Sequence, residues 1–430
     1  CARCSNACPA FNTDKPLSPM ELVLDLKHEI QQRGELLLRL SQPGWEALQA
    51  GAGEVDAATA LPPGDRELLA TLKALPPLVG GRIKDETLWA CTTCGACEAE
   101  CPVFIEHPLK ILQMRTHLVL EQGRQPPELA RMFRGLENNQ NPWGLGADQR
   151  MDWAAGLDVP VLAEKGRAEY LLWIGCAGSF DDRGQKIARD WVALLQQAGV
   201  DFAVLGAEEG CTGDAARRAG NELLFQTLAE ANLELFRRYE VQKILVSCPH
   251  CFHSFKHEYP QLGGQFEVWH HSQFLARLVA EGRLQPTSKL TEPVVFHDPC
   301  YLGRWNHEYE APRALLAQLG PTQTDGSGAP PRELPRHHAK SFCCGAGGAR
   351  MWVEEDAPRV NVERSREAAA SGASVVATAC PFCNVMLGDG MKQLDCDERV
   401  EVLDVAQLLA RSTGARPRSA AGREGGSASA

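Results

Sequence analysis

The chain has 430 residues, enough for two or three domains with cores of their own. Its 44% apolar and 23% charged residues are ordinary for a soluble globular protein, and a net charge of −11 argues against nucleic acid as the main partner. No apolar run approaches the roughly 18 residues that a membrane-spanning helix needs.

The opening stretch, CARCSNACPA, carries Cys1, Cys4 and Cys8 followed by Pro9. In LSPMELVLDLKHEIQQRGELLLRL (17–40), Leu and Ile at helical spacing predict a helix with Ser18 as its N-cap. A Gly/Pro/Ala-rich piece at 51–64 leads to a second, short helix near 65–75. CTTCGACEAECP (91–102) follows, then a helix after Pro108 in LKILQMRTHLVLEQG. Residues 125–167, rich in Asn, Gly, Trp and Pro, read as an irregular connector.

From 168 onward strands alternate with helices. The strand YLLWIG ends at Cys176, KIARDWVALLQQAG reads as a helix and DFAVLG as a strand. GCTGD with Cys211, a long helix across 216–238, the strand KILVS and CPHC (Cys248, Cys251) complete this unit. The same order then recurs. VVFHD runs into Cys300, APRALLAQLG is a helix, and FCCGAGG holds Cys343 and Cys344. A helix is expected over 357–371, and SVVATA enters CPFC, Cys380 and Cys383. HHSQFLARL (270–278) and DVAQLLARS (404–412) occupy matching exits, so the pattern is a duplication of about 115 residues. The Gly/Ser/Ala/Arg tail over 413–430 is expected to be disordered.

Seventeen cysteines are the compositional outlier, and eleven of them stand in C-x-x-C or C-C groupings. A large acidic chain with a normal apolar fraction has no need of disulfide staples, so metal ligation by thiolates in a reducing compartment is the expectation. Cys91, Cys94, Cys97 and Cys101-Pro102 complete the motif C-x2-C-x2-C-x3-C-P. In that spacing three thiolates wrap one cluster and the fourth serves a second. Cys1, Cys4 and Cys8-Pro9 match the last three cysteines of the same motif, which places a further cysteine three residues ahead of Cys1. One four-iron cluster is therefore expected on Cys91, Cys94, Cys97 and Cys8, and another on Cys1, Cys4, Cys101 and a residue outside these 430.

The string C-x42-C-C-G-x34-C-x-x-C, with DPC before it and CPFC at its end, resembles the duplicated cysteine-rich "CCG" domain. That domain occurs in heterodisulfide reductases and in iron–sulfur subunits of glycolate, lactate and glycerol-3-phosphate oxidising enzymes. The resemblance covers about 1–412 and implies an α/β C-terminal part of two CCG repeats behind a mainly helical ferredoxin-like domain with two four-iron clusters. The divisions implied are 1–124, a connector at 125–167, repeats at 168–285 and 286–412, and the tail. It also implies that Cys300, Cys343, Cys344, Cys380 and Cys383 hold a catalytic iron–sulfur centre, non-cubane in the reductases. Gly345, Gly347 and Gly348 are expected to bring backbone N–H groups to these sulfurs. In the first repeat Gly210 stands where the pair would begin, which leaves Cys176, Cys211, Cys248 and Cys251 for a cubane cluster or zinc.

GCTGDAARRAGNELLFQTLAEANLELF looks similar to a bacterial, membrane-associated branch of this family. The resemblance implies an upstream membrane domain, electron-transferring flavoprotein as donor, menaquinone as acceptor, and a place on the cytoplasmic face of the inner membrane. The alternatives are a thiol–disulfide reductase, the iron–sulfur subunit of a hydroxy-acid or glycerol-3-phosphate dehydrogenase complex, and a zinc scaffold without catalysis. No G-x-G-x-x-G follows a strand and there is no P-loop, so neither a flavin nor a nicotinamide site is expected.

His250, His253 and His297 stand close to cysteines and either tune or protonate a cluster or simply pack or hydrogen-bond a strand end. His337 and His338 read as solvated loop residues and Cys396 as an ordinary thiol. Asp181, Asp182 and Arg183 are either a helix-capping turn or a substrate loop.

Overall fold

The computed structural model describes residues 1–49, 61–320 and 330–420. Residues 51–60 of the Gly/Pro/Ala-rich piece and 421–430 of the tail lie outside the described residues. The N-terminal part is helical. Pro19–Leu37 starts where the sequence places it, with Ser18 Oγ accepting from the Glu21 N–H at 3.3 Å. Pro63–Ala74 and His107–Thr116 are the next long helices, and the latter widens into a π-type turn at His117–Glu121.

Two parallel four-stranded sheets follow. The first comprises β1 (Tyr170–Trp173), β2 (Phe202–Ala203), β3 (Lys243–Val246) and β4 (Glu267–His270), in the order β2-β1-β3-β4. The second comprises β5 (Val294–Phe296), β6 (Arg332–Glu333), β7 (Val375–Thr378) and β8 (Glu401–Asp404), in the order β6-β5-β7-β8. The duplication read from the cysteines is thus a duplication of topology. β1 and β7 are buried along their whole length, as expected of parallel strands covered on both faces.

The exit helices also match. His270 and Asp404 each cap the helix that follows, with Gln273 and Gln407 closing equivalent capping boxes. His271 Nε2 and Asp404 Oδ1 meet at 2.7 Å with both side chains fully buried, which ties one repeat to the other.

Three elements differ from expectation. Residues 125–167 are not an irregular connector: Pro127–Asn139 is a helix that buries Leu129, Met132, Phe133 and Leu136. Those four residues carry helical spacing, but the Asn, Gly and Pro on either side obscure it. The helix expected at 216–238 divides into Asp214–Arg218 and Glu222–Arg238. Gly220 makes the break at φ +87°, where a Cβ would lie 2.5 Å from the Arg115 carbonyl carbon. The first tail residues are docked, with the Arg418 N–H donating to Gln196 Oε1 at 2.7 Å. Among the described residues no helix is long and apolar enough to cross a membrane.

Arg115, fully buried, fastens the helical part to both repeats. It donates to the carbonyls of Leu88 and Cys91, to that of Arg218 in the first repeat and to that of Gly348 in the second. Burial pulls its guanidinium down to about 10, so it stays cationic at neutral pH.

Candidate metal centres

In a parallel sheet, ligands gather where the strand order reverses, beyond the carboxyl ends of the strands. The order reverses between β1 and β3, and again between β5 and β7. Cys176 and Cys248 follow β1 and β3, and Cys300 and Cys380 follow β5 and β7. A helix begins at or next to each of these cysteines, so the loop cysteines Cys211 and Cys343–Cys344 need only fold over the crevice. All seventeen cysteines are unpaired, and all but Cys1 are buried.

The thiols form three nests. In the first, Cys8 crosses over to Cys91, Cys94 and Cys97, as the paired motif requires. Burial pushes the Cys8 and Cys97 thiols up, and their neighbours in the nest add to the effect. The Cys91 sulfur accepts from the Thr93 N–H at 3.3 Å. Cys4 lies on the helix Arg3–Ala7, which packs on Ala96–Ala99, the turn leading into Cys101. Cys101 accepts from the Ile105 N–H at 3.4 Å, and Cys1 is at the surface.

The second nest gathers Cys300, Cys343, Cys344, Cys380 and Cys383 of the second repeat. Cys343 contacts Cys300 and Cys344, Cys344 lies 3.3 Å from Cys383, and Cys383 contacts Cys380. These contacts drive the thiols apart in acidity. Cys343 is pushed well up by Cys300 and Cys344, while Cys344 is held well below the usual thiol range by contacts from Cys343 and Cys383. Burial raises Cys380, but contacts from Cys248 and Cys383 outweigh it and bring it to about 6.

The third nest holds Cys176, Cys211, Cys248 and Cys251 around a cavity of about 40 Å³ that Asp214, His250, Gly347 and Phe382 also line. A Cβ on Gly210 would come within 2.7 Å of Gln140 Oε1 and 3.2 Å of Asn232 Oδ1, so the place of a fifth thiol is filled.

Two contacts join the nests. The Cys94 thiol lies against that of Cys343, and the Cys248 thiol against that of Cys380. The second-repeat nest therefore stands between the first nest and the third, an order that nothing in the linear sequence announces. Buried thiols this close, with no disulfide among them, suit a shared metal group: thiolates repel one another, and a bound cationic group removes the cost of ionising them. The donor set, sulfur only and in fours and fives, fits iron–sulfur clusters in all three nests and zinc in the third.

Residues between the nests were less visible in the sequence. Arg304 donates to the carbonyls of Cys94 and Ser341, each at 2.7 Å. Burial alone would lower its guanidinium, but Cys94, Cys300 and Cys343 outweigh that and hold it above its ordinary value. Tyr301 bonds Thr93 Oγ1 at 2.9 Å and stacks on His250 with ring centroids 3.8 Å apart. Their only sequence signal is position, one and four residues after Cys300.

Of the glycines expected to serve the sulfurs, Gly345 does so, its N–H reaching Cys343 Sγ at 3.3 Å. Gly347 and Gly348 serve packing instead. A Cβ on either would meet the Thr92 or Cys91 carbonyl oxygen at 2.4 and 2.3 Å. His250 pairs with Asp214 at 2.9 Å, and His253, pushed down to about 3 by burial, is a neutral packing residue. His337 and His338 are half-buried rather than solvated, His338 Nδ1 lying 3.2 Å from Arg313, whose guanidinium also holds Glu333. Cys396 stands apart from the nests beside Arg399, at 3.1 Å. Asp181 caps Asp182–Gln197, accepting from the N–H groups of Arg183 and Gly184 at 2.9 Å, so the capping turn accounts for it.

The family described as the cysteine-rich domain matches residues 170–256 and 294–388, and the 4Fe-4S dicluster domain matches 1–105. The probable iron-sulfur-binding oxidoreductase FadF of Bacillus subtilis is 42% identical over 423 residues, 96% of this chain and 59% of the relative. The EtfAB:quinone oxidoreductase of Syntrophomonas wolfei is 41% identical over 426 residues, 95% of this chain and 57% of the relative. A dihydromethanophenazine:CoB–CoM heterodisulfide reductase polypeptide of Methanosarcina mazei is 31% identical over 332 residues, 75% of this chain and 77% of the relative. The chain thus spans somewhat under three fifths of the length of the two bacterial relatives.

Proposed function

The chain belongs to the family of iron–sulfur oxidoreductases that join a 4Fe-4S dicluster domain to two cysteine-rich domains, and on that premise we propose that it relays electrons from an electron-transferring flavoprotein towards the quinone pool. The observation that carries this reading is the pair of thiol contacts, Cys94 with Cys343 and Cys380 with Cys248, that joins the nests in series.

In this reading Cys8, Cys91, Cys94 and Cys97 hold one four-iron cluster, and Cys1, Cys4 and Cys101 contribute three ligands to another. Cys300, Cys343, Cys344, Cys380 and Cys383 hold the centre of the second repeat, and Cys176, Cys211, Cys248 and Cys251 that of the first. Bound iron–sulfur groups supply one-electron chemistry at potentials from about −700 to +450 mV, set by hydrogen bonds to sulfur and by burial.

The protein's part is to insulate and to balance charge. Arg304 places a buried cation among Cys94, Cys300 and Cys343, where negative charge accumulates. Tyr301 and His250 fill the space between the nests with stacked rings and so exclude water. The relative named for a quinone supports quinone as acceptor. Quinones dissolve in the bilayer, which favours a place at a membrane, and thiolate centres in a reducing compartment favour its cytoplasmic face, with the quinone met through a portion or partner outside these residues.

Anaerobic titration of the iron-loaded protein with reduced electron-transferring flavoprotein tests the reading. The expected result is bleaching of the cluster absorbance. If the flavoprotein leaves it unchanged, while a disulfide reoxidises the dithionite-reduced protein, the relay is wrong and disulfide reduction takes its place.

A further inference from the structure

We infer that His297 is an N–H donor to the sulfurs of the second-repeat centre, fixed in that role by Arg364, and is not a ligand. This rests on the proposed ligation by Cys344 and Cys383. His297 is 1% exposed at the end of β5, its backbone N–H held by the Ala377 carbonyl at 2.9 Å. Its ligating atom and the sulfurs of Cys344 and Cys383 all lie within 4.8 Å of one another, a separation open to either role.

Arg364 decides between them. Its Nε–H donates to His297 Nδ1 at 3.0 Å, so Nδ1 carries a lone pair and not a proton. A neutral imidazole has one N–H, which must then sit on Nε2. Nε2 has no hydrogen-bond partner among the described residues, sulfur included, and with Nδ1 taken by Arg364 it is the ring nitrogen left to serve the Cys344 and Cys383 sulfurs nearby. A nitrogen that bears a proton has no lone pair to give a metal, but it can donate to a thiolate.

Arg364 cannot easily turn away. Its side chain is fully buried, with Nη1 on the Arg336 carbonyl at 2.9 Å and Glu367 Oε2 at 2.8 Å, and Nη2 on Ser341 Oγ at 3.3 Å. An N–H···S bond stabilises the extra electron of a reduced centre, so His297 raises the reduction potential of that centre. His297 is accordingly a positioning and tuning residue.

The test is pulsed EPR on the iron-loaded protein labelled with [15N]histidine, observing the signal that Cys344→Ser removes. The account predicts a weak 15N coupling of hydrogen-bond size. A strong, ligand-type coupling, or none, overturns it, and this holds even if variants fail to fold. An EPR-monitored redox titration supplies the second arm. His297→Leu should lower the midpoint potential of this centre alone, and His297→Gln, which keeps an N–H at the Nε2 position, should restore it. An unchanged potential in a loaded His297→Leu protein contradicts the inference. If Cys344→Ser removes no signal, the ligand set is at fault and not the role of His297.

Discussion

Gly210 shows how one side chain can separate two repeats of the same topology. Lacking a cysteine there, the first repeat fills the vacated space with Gln140 from the preceding helix and with Asn232, which is itself held by the Cys211 carbonyl at 2.8 Å. The missing thiol was legible in the sequence, but the residues that replace it were not, because they lie 70 residues upstream and 22 downstream. Asp190 is a second residue whose setting only the fold supplies. Burial against the exit helix of the second repeat raises its carboxyl from 3.8 to about 6, with Arg411 and Gln407 pulling the other way. Since the folded state binds this proton more tightly than the unfolded chain, the associated stability is full below about pH 4 and is lost as pH rises through 6. Asp190→Asn should therefore raise the thermal midpoint at pH 7 and give no gain at pH 4, measured by anaerobic thermal melts at both pH values. An equal effect at the two would contradict the assignment.

At the scale of elements, the alternation of apolar strands with helices and the four cysteines in register between the repeats were enough to read two α/β units. The strands that the pattern named began within a residue of their expected starts and the exit helices matched, but YLLWIG stops at Trp173 and DFAVLG at Ala203. What escaped was structure whose signal is weak locally. The helix Pro127–Asn139 hides its apolar face among loop-forming residues, and the break at Gly220 answers a neighbour 105 residues away, Arg115. That break carries a prediction. At φ +87°, with a carbonyl carbon 2.5 Å from where a Cβ would stand, Gly220→Ala meets both backbone strain and a clash with backbone. It should destabilise the protein by at least ~2 kcal/mol in denaturant melts. A loss within ~0.5 kcal/mol, the range of a neutral surface change, would show that the loop relaxes freely.

For the whole molecule, the ligand candidates were readable one by one, whereas their arrangement was not. The series of nests depends on Gly347 and Gly348 lying against the Thr92 and Cys91 carbonyls, on Arg115 holding three parts together, and on Arg304 reaching from beside Cys300 to Cys94. None of these contacts has a spacing that a motif could encode. Their joint effect is to put the five-thiol nest in the middle, in contact with the helical part through Cys343 and with the first repeat through Cys380. The reduced, iron-loaded protein tests this arrangement most directly. The account predicts that the EPR signal of the cluster on Cys8, Cys91, Cys94 and Cys97 is broadened by its second-repeat neighbour, and sharpens to an isolated spectrum when Cys344→Ser removes that neighbour. Identical spectra from the two proteins, with both centres paramagnetic in the wild type, would contradict it.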